Sequence, residues 1–206
     1  PYPLLSSTSE RMTVPLVWMP WQRQMMLPYL LPPELPESEL RTLTEYAMGF
    51  VKREDFDLLE ALLEVNRTIF SDYKYVSGST NLQTTPFEVF TKRKGVCQDF
   101  AHVQITCLRS LGIPARYTSG YLRTIPPPGK KRLIGADQSH AWVSVYCGAG
   151  LWVDLDPTNN QVVGLDHIVV AYGRDYDDVA PVKGVFLGGG AHTLNVSVDV
   201  CPNPKH

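Results

Sequence analysis

The stretch that decides the fold is residues 95–114, which read GVCQDFAHVQITCLRSLGIP. Apolar side chains recur in it at the spacing of one helix face, at Ala101, Ile105, Leu108 and Leu111. The Gly-Ile-Pro sequence that follows favours a stop, because glycine accepts the left-handed conformation of a helix end and proline cannot continue a helix. The segment therefore predicts a helix from Cys97 to Leu111, with Cys97 at its N-terminus.

Three helices are predicted ahead of this one, each from a capping residue followed by apolar side chains at helical spacing. The first begins at Ser38. The second opens at Asp57, which has a glutamate three residues later, and ends near Phe70. The third follows Thr85, which precedes a proline, and runs to about Lys94.

Beyond residue 114 the sequence changes period, to short runs rich in Val, Tyr and Trp that are separated by turn residues and are typical of strands. The predicted strands are Ala115–Leu122, His140–Tyr146, Leu151–Leu155 and Leu194–Val200, with Asp166–Val170 as a strand or a short helix. The connection 147–150 contains two glycines and has hairpin length, so the strands on either side of it should pair antiparallel. We expect an α+β protein with N-terminal helices packed on an antiparallel sheet.

Residues 1–36 differ in composition from the rest, with eight prolines among large apolar side chains such as Trp18 and Trp21. This mixture argues against a long helix, yet it has much apolar surface to bury. We predict an extended arm over 1–36 that lies on the core, followed by one catalytic domain over 37–206. A chain that starts at Pro1 also suggests a processed product or a piece of a longer polypeptide.

Composition excludes several classes of function. The net charge is −2, from 19 basic and 21 acidic residues scattered along the chain, so we expect no binding to nucleic acid or to an anionic membrane. No apolar run approaches the roughly 18 residues that span a bilayer. The four cysteines form no CxxC pair and no zinc-like group with the five histidines. We therefore expect no metal, no cofactor and a reducing, cytoplasmic location, while the oligomeric state is left open.

Cys97 is the candidate nucleophile. The start of a helix offers unsatisfied backbone N–H groups and the positive end of the helix dipole, which favour a thiolate. The backbone N–H of the same residue can donate to an oxyanion, as acyl transfer requires. Asp99, in the first turn, is expected to be structural, meeting the helix dipole and binding Arg93 or Arg116.

His140 and Asp156 are the candidate partners of Cys97. His140 lies on one strand of the predicted hairpin and Asp156 follows the other, so the hairpin can bring imidazole and carboxylate together. Such a relay lets the histidine take the thiol proton while the aspartate fixes its tautomer. Asp154 is an alternative, because residues two apart share a strand face. Asp156 is preferred because it lies where the strand ends, just before Pro157.

The remaining cysteines and histidines are interpreted as packing or structural residues, because both types are more often buried or solvated than catalytic. They are Cys107, Cys147, Cys201, His102, His167, His192 and His206.

The chain resembles the transglutaminase-like superfamily, and within it the bacterial branch of putative cysteine proteases. The resemblance rests on RKGVCQDFAH at 93–102 with LGIPAR at 111–116, SHAWV at 139–143, and WVDLDPTN at 152–159. A later segment, GRDYDDVAP at 173–181, also resembles that branch. Together these blocks cover about residues 40–200.

The resemblance implies a papain-like fold and a catalytic triad of Cys97, His140 and Asp156. Bacterial relatives usually carry a β-rich domain ahead of the helices, which this chain lacks, and this supports the idea of a truncated product. The aromatic oxyanion donor of the animal cross-linking enzymes has no clear counterpart. Tyr75 or Tyr73 could take that role, although packing is the preferred interpretation of either.

The functional expectation is a thiol-dependent enzyme that attacks a peptide, isopeptide or glutamine carboxamide of a peptide or protein substrate and forms a thioester. Hydrolysis would make it a protease or amidase, and this reading is preferred. Transfer to an amine would make it a transglutaminase, since the first half-reaction is the same. An alternative of another class is a non-catalytic scaffold module of a larger protein.

Overall fold

The computed structural model describes residues 13–14, 16–51, 56–124, 138–184, 188–189 and 196–201. The helices in this part of the chain are α1 (Pro20–Leu30), α2 (Glu37–Met48), α3 (Leu58–Asp72), α4 (Pro86–Lys92), α5 (Cys97–Ser110) and α6 (Tyr176–Val179). The strands are β1 (Thr13–Val14), β2 (Phe56–Asp57), β3 (Lys74–Tyr75), β4 (Lys94–Gly95), β5 (Ala115–Leu122), β6 (Gln138–Tyr146), β7 (Trp152–Asp156), β8 (Gln161–Val162) and β9 (His167–Gly173).

The principal sheet has five strands in the order β8-β7-β6-β5-β9, and all of its neighbouring pairs are antiparallel. β6 and β7 form the predicted hairpin, with Val143 opposite Leu155. Helix α5 packs on this sheet and is flanked by α2, α3 and α4. The α+β fold expected from the sequence is therefore confirmed.

Helix α5 supplies much of the core. Ala101, Ile105 and Leu108, the apolar positions predicted to lie on one face, are at most 3% exposed. Burying a large aliphatic side chain of this kind stabilises the fold by about 1.5–3 kcal/mol. Because α5 is fixed along its length, its first turn holds a defined position above the sheet.

Asp99 caps the start of α5. Its Oδ2 accepts the backbone N–H of Val96 at 2.7 Å and the hydroxyl of Thr80 at 2.6 Å. The structural role predicted for Asp99 is thus confirmed, but the arginine partners are replaced by a backbone donor and a hydroxyl. A Cβ on Gly95 would lie 2.7 Å from Oδ2 of Asp99, which explains the glycine two residues ahead of Cys97.

The other predicted helices are confirmed with small shifts at their ends. Asp57 caps α3 through the N–H groups of Leu59 and Glu60, and Thr85 caps α4 through the N–H of Glu88. The predicted cap at Ser38 is wrong, because α2 begins at Glu37 after Pro36. Of residues 166–170, those from 167 onward belong to a strand, β9, rather than to a helix, and Asp166 lies in the turn before it.

Two expectations at the chain ends require correction. The arm over 1–36 is not extended throughout, because Pro20–Leu30 form α1 with Pro28 inside it. In its described part, Trp18 Nε1 donates to the Gly112 carbonyl at 2.9 Å. The predicted strand Leu194–Val200 falls partly outside the described residues, and residues 196–200 form no more than a single bridge.

No helix in the described ranges combines the length and the apolar character that crossing a lipid bilayer requires. The domain boundary at residue 36 and the location stay predictions.

Candidate active site

The β6–β7 hairpin brings His140 and Asp156 into contact. Nε2 of His140 lies 2.8 Å from Oδ2 of Asp156, and both side chains are buried. This orientation of the ring leaves Nδ1 as the nitrogen that faces away from the carboxylate. The two residues predicted as base and orienting group are therefore adjacent.

Cys97 meets the same imidazole from the helix side. It is the first residue of α5 and is partly exposed, and its thiol is near enough to His140 to affect the pKa of the imidazole. Burial by itself would lower the pKa of His140, but the interactions with Asp156 and with Cys97 outweigh it and raise the pKa to about 9. The imidazole is thus placed to hold a proton taken from the thiol.

Asp156 is fixed by five hydrogen bonds from described residues. Oδ1 accepts the backbone N–H groups of Thr158 at 2.9 Å and Asn159 at 3.2 Å. Oδ2 accepts from His140, from the Asn159 amide at 2.7 Å and from His167 at 3.0 Å. Burial by itself would raise the pKa of Asp156, but the side-chain bonds hold it well below the ordinary carboxyl range.

The carboxylate of Asp154, the alternative orienting group, is bound to Trp142 instead of His140. Its Oδ2 accepts the indole N–H of Trp142 at 3.2 Å. The structure therefore favours Asp156 over Asp154 as the partner of His140.

His167 lies inside the site, and the interpretation that it is an unrelated structural residue is wrong. It starts β9, and its Nε2 lies 3.0 Å from Oδ2 of Asp156. The sequence analysis does not place His167 in the site for two reasons. A triad needs only one histidine, and the strand predicted over 166–170 is not assigned a position beside β5. Asn159 was missed as well, although it lies in the quoted 152–159 block.

The ligand atoms of His140, Asp156 and His167 lie within 4.8 Å of one another, which is the spacing of a metal-binding group. Both Nε2 atoms, however, already point at one carboxylate oxygen that also accepts from Asn159. Hydrogen bonding thus accounts for the arrangement of all three side chains.

Trp142 packs against both imidazoles. Its ring centroid lies 6.1 Å from that of His140 and 5.2 Å from that of His167, edge-on to the latter. Gly120 makes this packing possible, because a Cβ there would lie 2.5 Å from Cη2 of Trp142 and 2.2 Å from the Ile168 carbonyl. The β5–β9 register also shifts between Ser119 and Gly120, which lets the two strands approach closely at this point.

Substitution of Gly120 by alanine should therefore disturb the site through Trp142 and β9. We expect Gly120→Ala to destabilise the fold by roughly 1–3 kcal/mol, as overpacked cores do, and to slow alkylation of Cys97. Thermal unfolding and site-resolved mass spectrometry measure the two effects. Gly184→Ala is the matched control, because a Cβ at Gly184 would meet nothing within 4 Å. Equal stability of the two variants would contradict this packing account.

The two tyrosines proposed as oxyanion donors differ in their surroundings. Tyr73 is 5% exposed and its hydroxyl accepts from Nη1 of Arg93 at 2.8 Å, so its role is structural. Tyr75 is 53% exposed. It pairs in β3 with Gly95, two residues before Cys97, and burial followed by the charge of Cys97 raises its pKa. Only Tyr75 of the pair is available to a substrate.

Two of the other cysteines and His102 are structural, as predicted. Burial raises the pKa of both Cys107 and Cys147 to about 12, which makes these thiols poor nucleophiles. Nε2 of His102 accepts the backbone N–H of Tyr176 at 3.2 Å. His192 and His206 lie outside the described residues.

Comparisons with known proteins show what the chain is similar to. An uncharacterized protein of Mycobacterium tuberculosis is 45% identical over 179 residues, covering 84% of this chain and 55% of the relative. A protein-glutamine gamma-glutamyltransferase of Pseudomonas aeruginosa is 35% identical over 71 residues, covering 34% of this chain and 11% of the relative. The crystal structure of a proposed cysteine protease of Cytophaga hutchinsonii is 35% identical with a TM-score of 0.65, covering 83% of this chain and 53% of that one.

The chain spans about half the length of the Mycobacterium and Cytophaga relatives. The family and the Cytophaga neighbour support a thiol-dependent enzyme in general. The model of the transglutaminase-like superfamily matches residues 44–157, which is more than half of the chain, and the chain therefore belongs to that superfamily.

Proposed function

We propose that the chain is an acyl-transfer enzyme in which Cys97 attacks a peptide, isopeptide or glutamine carboxamide carbonyl. The observation that carries the proposal is the position of His140, whose Nε2 is 2.8 Å from Oδ2 of Asp156 while the Cys97 thiol also interacts with the ring. This is the arrangement of nucleophile, base and orienting group that covalent catalysis uses.

The proposed reaction begins when His140 accepts the thiol proton and Sγ of Cys97 bonds to the carbonyl carbon. The resulting oxyanion accepts the backbone N–H of Cys97, which has no partner within the helix because it lies in the first turn. His140 then gives its proton to the departing amine or ammonia, which leaves a thioester. Water or an amine, deprotonated by His140, attacks the thioester, and the thiol recovers its proton.

Asp156 acts throughout this cycle without accepting the proton. Its carboxylate is held well below its ordinary pKa by the hydrogen bonds described above, so it stays ionised beside the imidazolium. It thereby stabilises the charged form of His140 and fixes which nitrogen faces Cys97.

Tyr75 is the proposed second donor to the oxyanion. We expect Tyr75→Phe to lower kcat by roughly 10- to 1,000-fold with little change in KM, since removal of one oxyanion donor typically costs up to that much. Steady-state kinetics on a cleavable glutamine or peptide substrate provide the measurement. Tyr73→Phe is the control variant. It should lower stability through loss of the bond to Arg93, and it should not lower kcat in the way that loss of an oxyanion donor does. A Tyr75→Phe variant with unchanged kcat would remove Tyr75 from the mechanism.

Hydrolysis is the preferred outcome, because a structural neighbour that is 35% identical to this chain is a proposed cysteine protease. Transfer to an amine is the second candidate, favoured by the local identity to a gamma-glutamyltransferase. Incubating the chain with a glutamine peptide and a primary amine separates them by product mass. Deamidation or cleavage supports hydrolysis, and incorporation of the amine supports transfer.

A further inference from the structure

Asp156 has two imidazole partners, although the proposed reaction uses only one. His140 reaches the carboxylate from β6, and His167 reaches the same oxygen from β9, the strand on the far side of β5. The side chain of His167 is 2% exposed, so water cannot hydrogen-bond its ring nitrogens. Burying a polar imidazole costs free energy unless its nitrogens find hydrogen-bond partners in the protein.

The hydrogen bonds assign the tautomer of His167. Asp156 accepts at both oxygens and is therefore ionised, so the Nε2 of His167 must carry the proton that it donates. Nδ1 of His167 is buried and has no hydrogen-bond partner among the described residues. Protonating it would bury an N–H without an acceptor and create a second cation, with its ring centroid 6.0 Å from that of His140. His167 is thus neutral when His140 is charged.

The ionisable groups that face His140 come from three elements. Cys97 approaches from α5, Asp156 from β7 and His167 from β9. Asp154, also on β7, is turned to the indole N–H of Trp142. The neutral dipole of His167 consequently contributes, together with the Asn159 amide, to a charge balance at Oδ2 that the proposed reaction leaves unused.

Building on the function proposed above, we propose that His167 is a positioning residue: its neutral Nε2–H fixes the Asp156 carboxylate and moderates the negative charge that His140 experiences. The positive end of its N–H dipole points at the oxygen that His140 shares. This dipole disfavours the imidazolium slightly, so His140 can return its proton to a leaving group as well as accept it. An imidazolium that is stabilised too strongly would keep the proton and could not pass it to the leaving group.

The test is the titration of His140 followed by NMR of the imidazole Cε1–H groups, with the resonance assigned from His140→Gln. His167→Leu removes the donor at similar volume, and His167→Gln keeps an amide N–H at the position of Nε2. We expect the His140 midpoint, about 9 in the unaltered chain, to rise by roughly half to one pH unit in His167→Leu. In His167→Gln it should return to within about 0.2 unit of the starting value.

An unchanged or lowered midpoint in His167→Leu would overturn the inference, as would an equal rise in both variants. If His167→Leu does not fold, the nitrogen shifts of His167 in the unaltered chain decide: a proton on Nε2 supports the inference, and a proton on Nδ1 overturns it. Neither readout needs a substrate. Absence of turnover with a normal titration would therefore count against the proposed function alone.

Discussion

Replacing Cys97 by alanine should abolish turnover and leave the fold intact. The thioester cannot form without Sγ, and removal of the nucleophile from comparable triads costs about 10⁶-fold in kcat, so we expect a loss of at least roughly 10⁴-fold. Cys97 is partly exposed at a helix start, so loss of its sulfur removes little core packing. Release of ammonia or of a cleaved peptide measures turnover, and thermal unfolding measures the fold.

Cys147→Ala is the matched control for this variant. Cys147 is also a partly exposed thiol, but burial raises its pKa to about 12 and it lies outside the His140 site. It should keep near-normal activity. Residual turnover of near wild-type size in Cys97→Ala would refute the assignment of the nucleophile.

Replacing Asp156 by asparagine should lower kcat by roughly 10²- to 10⁴-fold, which is less than loss of the nucleophile. The amide cannot stabilise the imidazolium, and its NH₂ group would face donors on His140, His167 and Asn159. We expect the midpoint of His140 to fall from about 9 toward the ordinary value of about 6.5, because the cause of the raised pKa is removed.

The sign of this pH effect follows from the direction of the shift. A histidine whose pKa is raised by folding stabilises the folded chain below its unfolded pKa, and that stabilisation is lost as the pH rises toward about 9. Asp156→Asn should therefore be least stable, relative to the unaltered chain, between about pH 4 and pH 6.5. The difference should be smaller near pH 9, and smaller below about pH 4, where the lowered pKa of Asp156 stabilises the unaltered chain progressively less. Asp154→Asn, which affects only the bond to Trp142, is the control. A pH-independent stability difference would contradict this account.

The sequence predicted the fold well where local physical signals are strong. Helix α5 was predicted because its apolar spacing, glycine stop and following proline agree, and α3 and α4 because Asp57 and Thr85 cap them. The sequence pattern does not predict helix α1, because its high proline content argues against a helix. Pro20, however, occupies the first turn, where its missing N–H costs nothing, and one later proline, Pro28, was tolerated.

The sequence predicted the part of the site that depends on one local strand pairing. The hairpin between β6 and β7 is local, so the meeting of His140 and Asp156 followed from loop length and strand alternation. His167 depends on β9 pairing with β5, residues that are more than 40 positions apart, with a register shift at Gly120. No local pattern encodes such a contact, and so the second imidazole came only from the structure.

The most direct test of the central claim is the rate at which iodoacetamide labels Cys97 at pH 6, resolved by mass spectrometry. At this pH a free thiol carries little thiolate, because its pKa is about 8.5. The account predicts that Cys97 reacts at least roughly tenfold faster than free cysteine and that His140→Gln removes this advantage. A Cys97 that reacts no faster than free cysteine, or equally fast in both proteins, would contradict it.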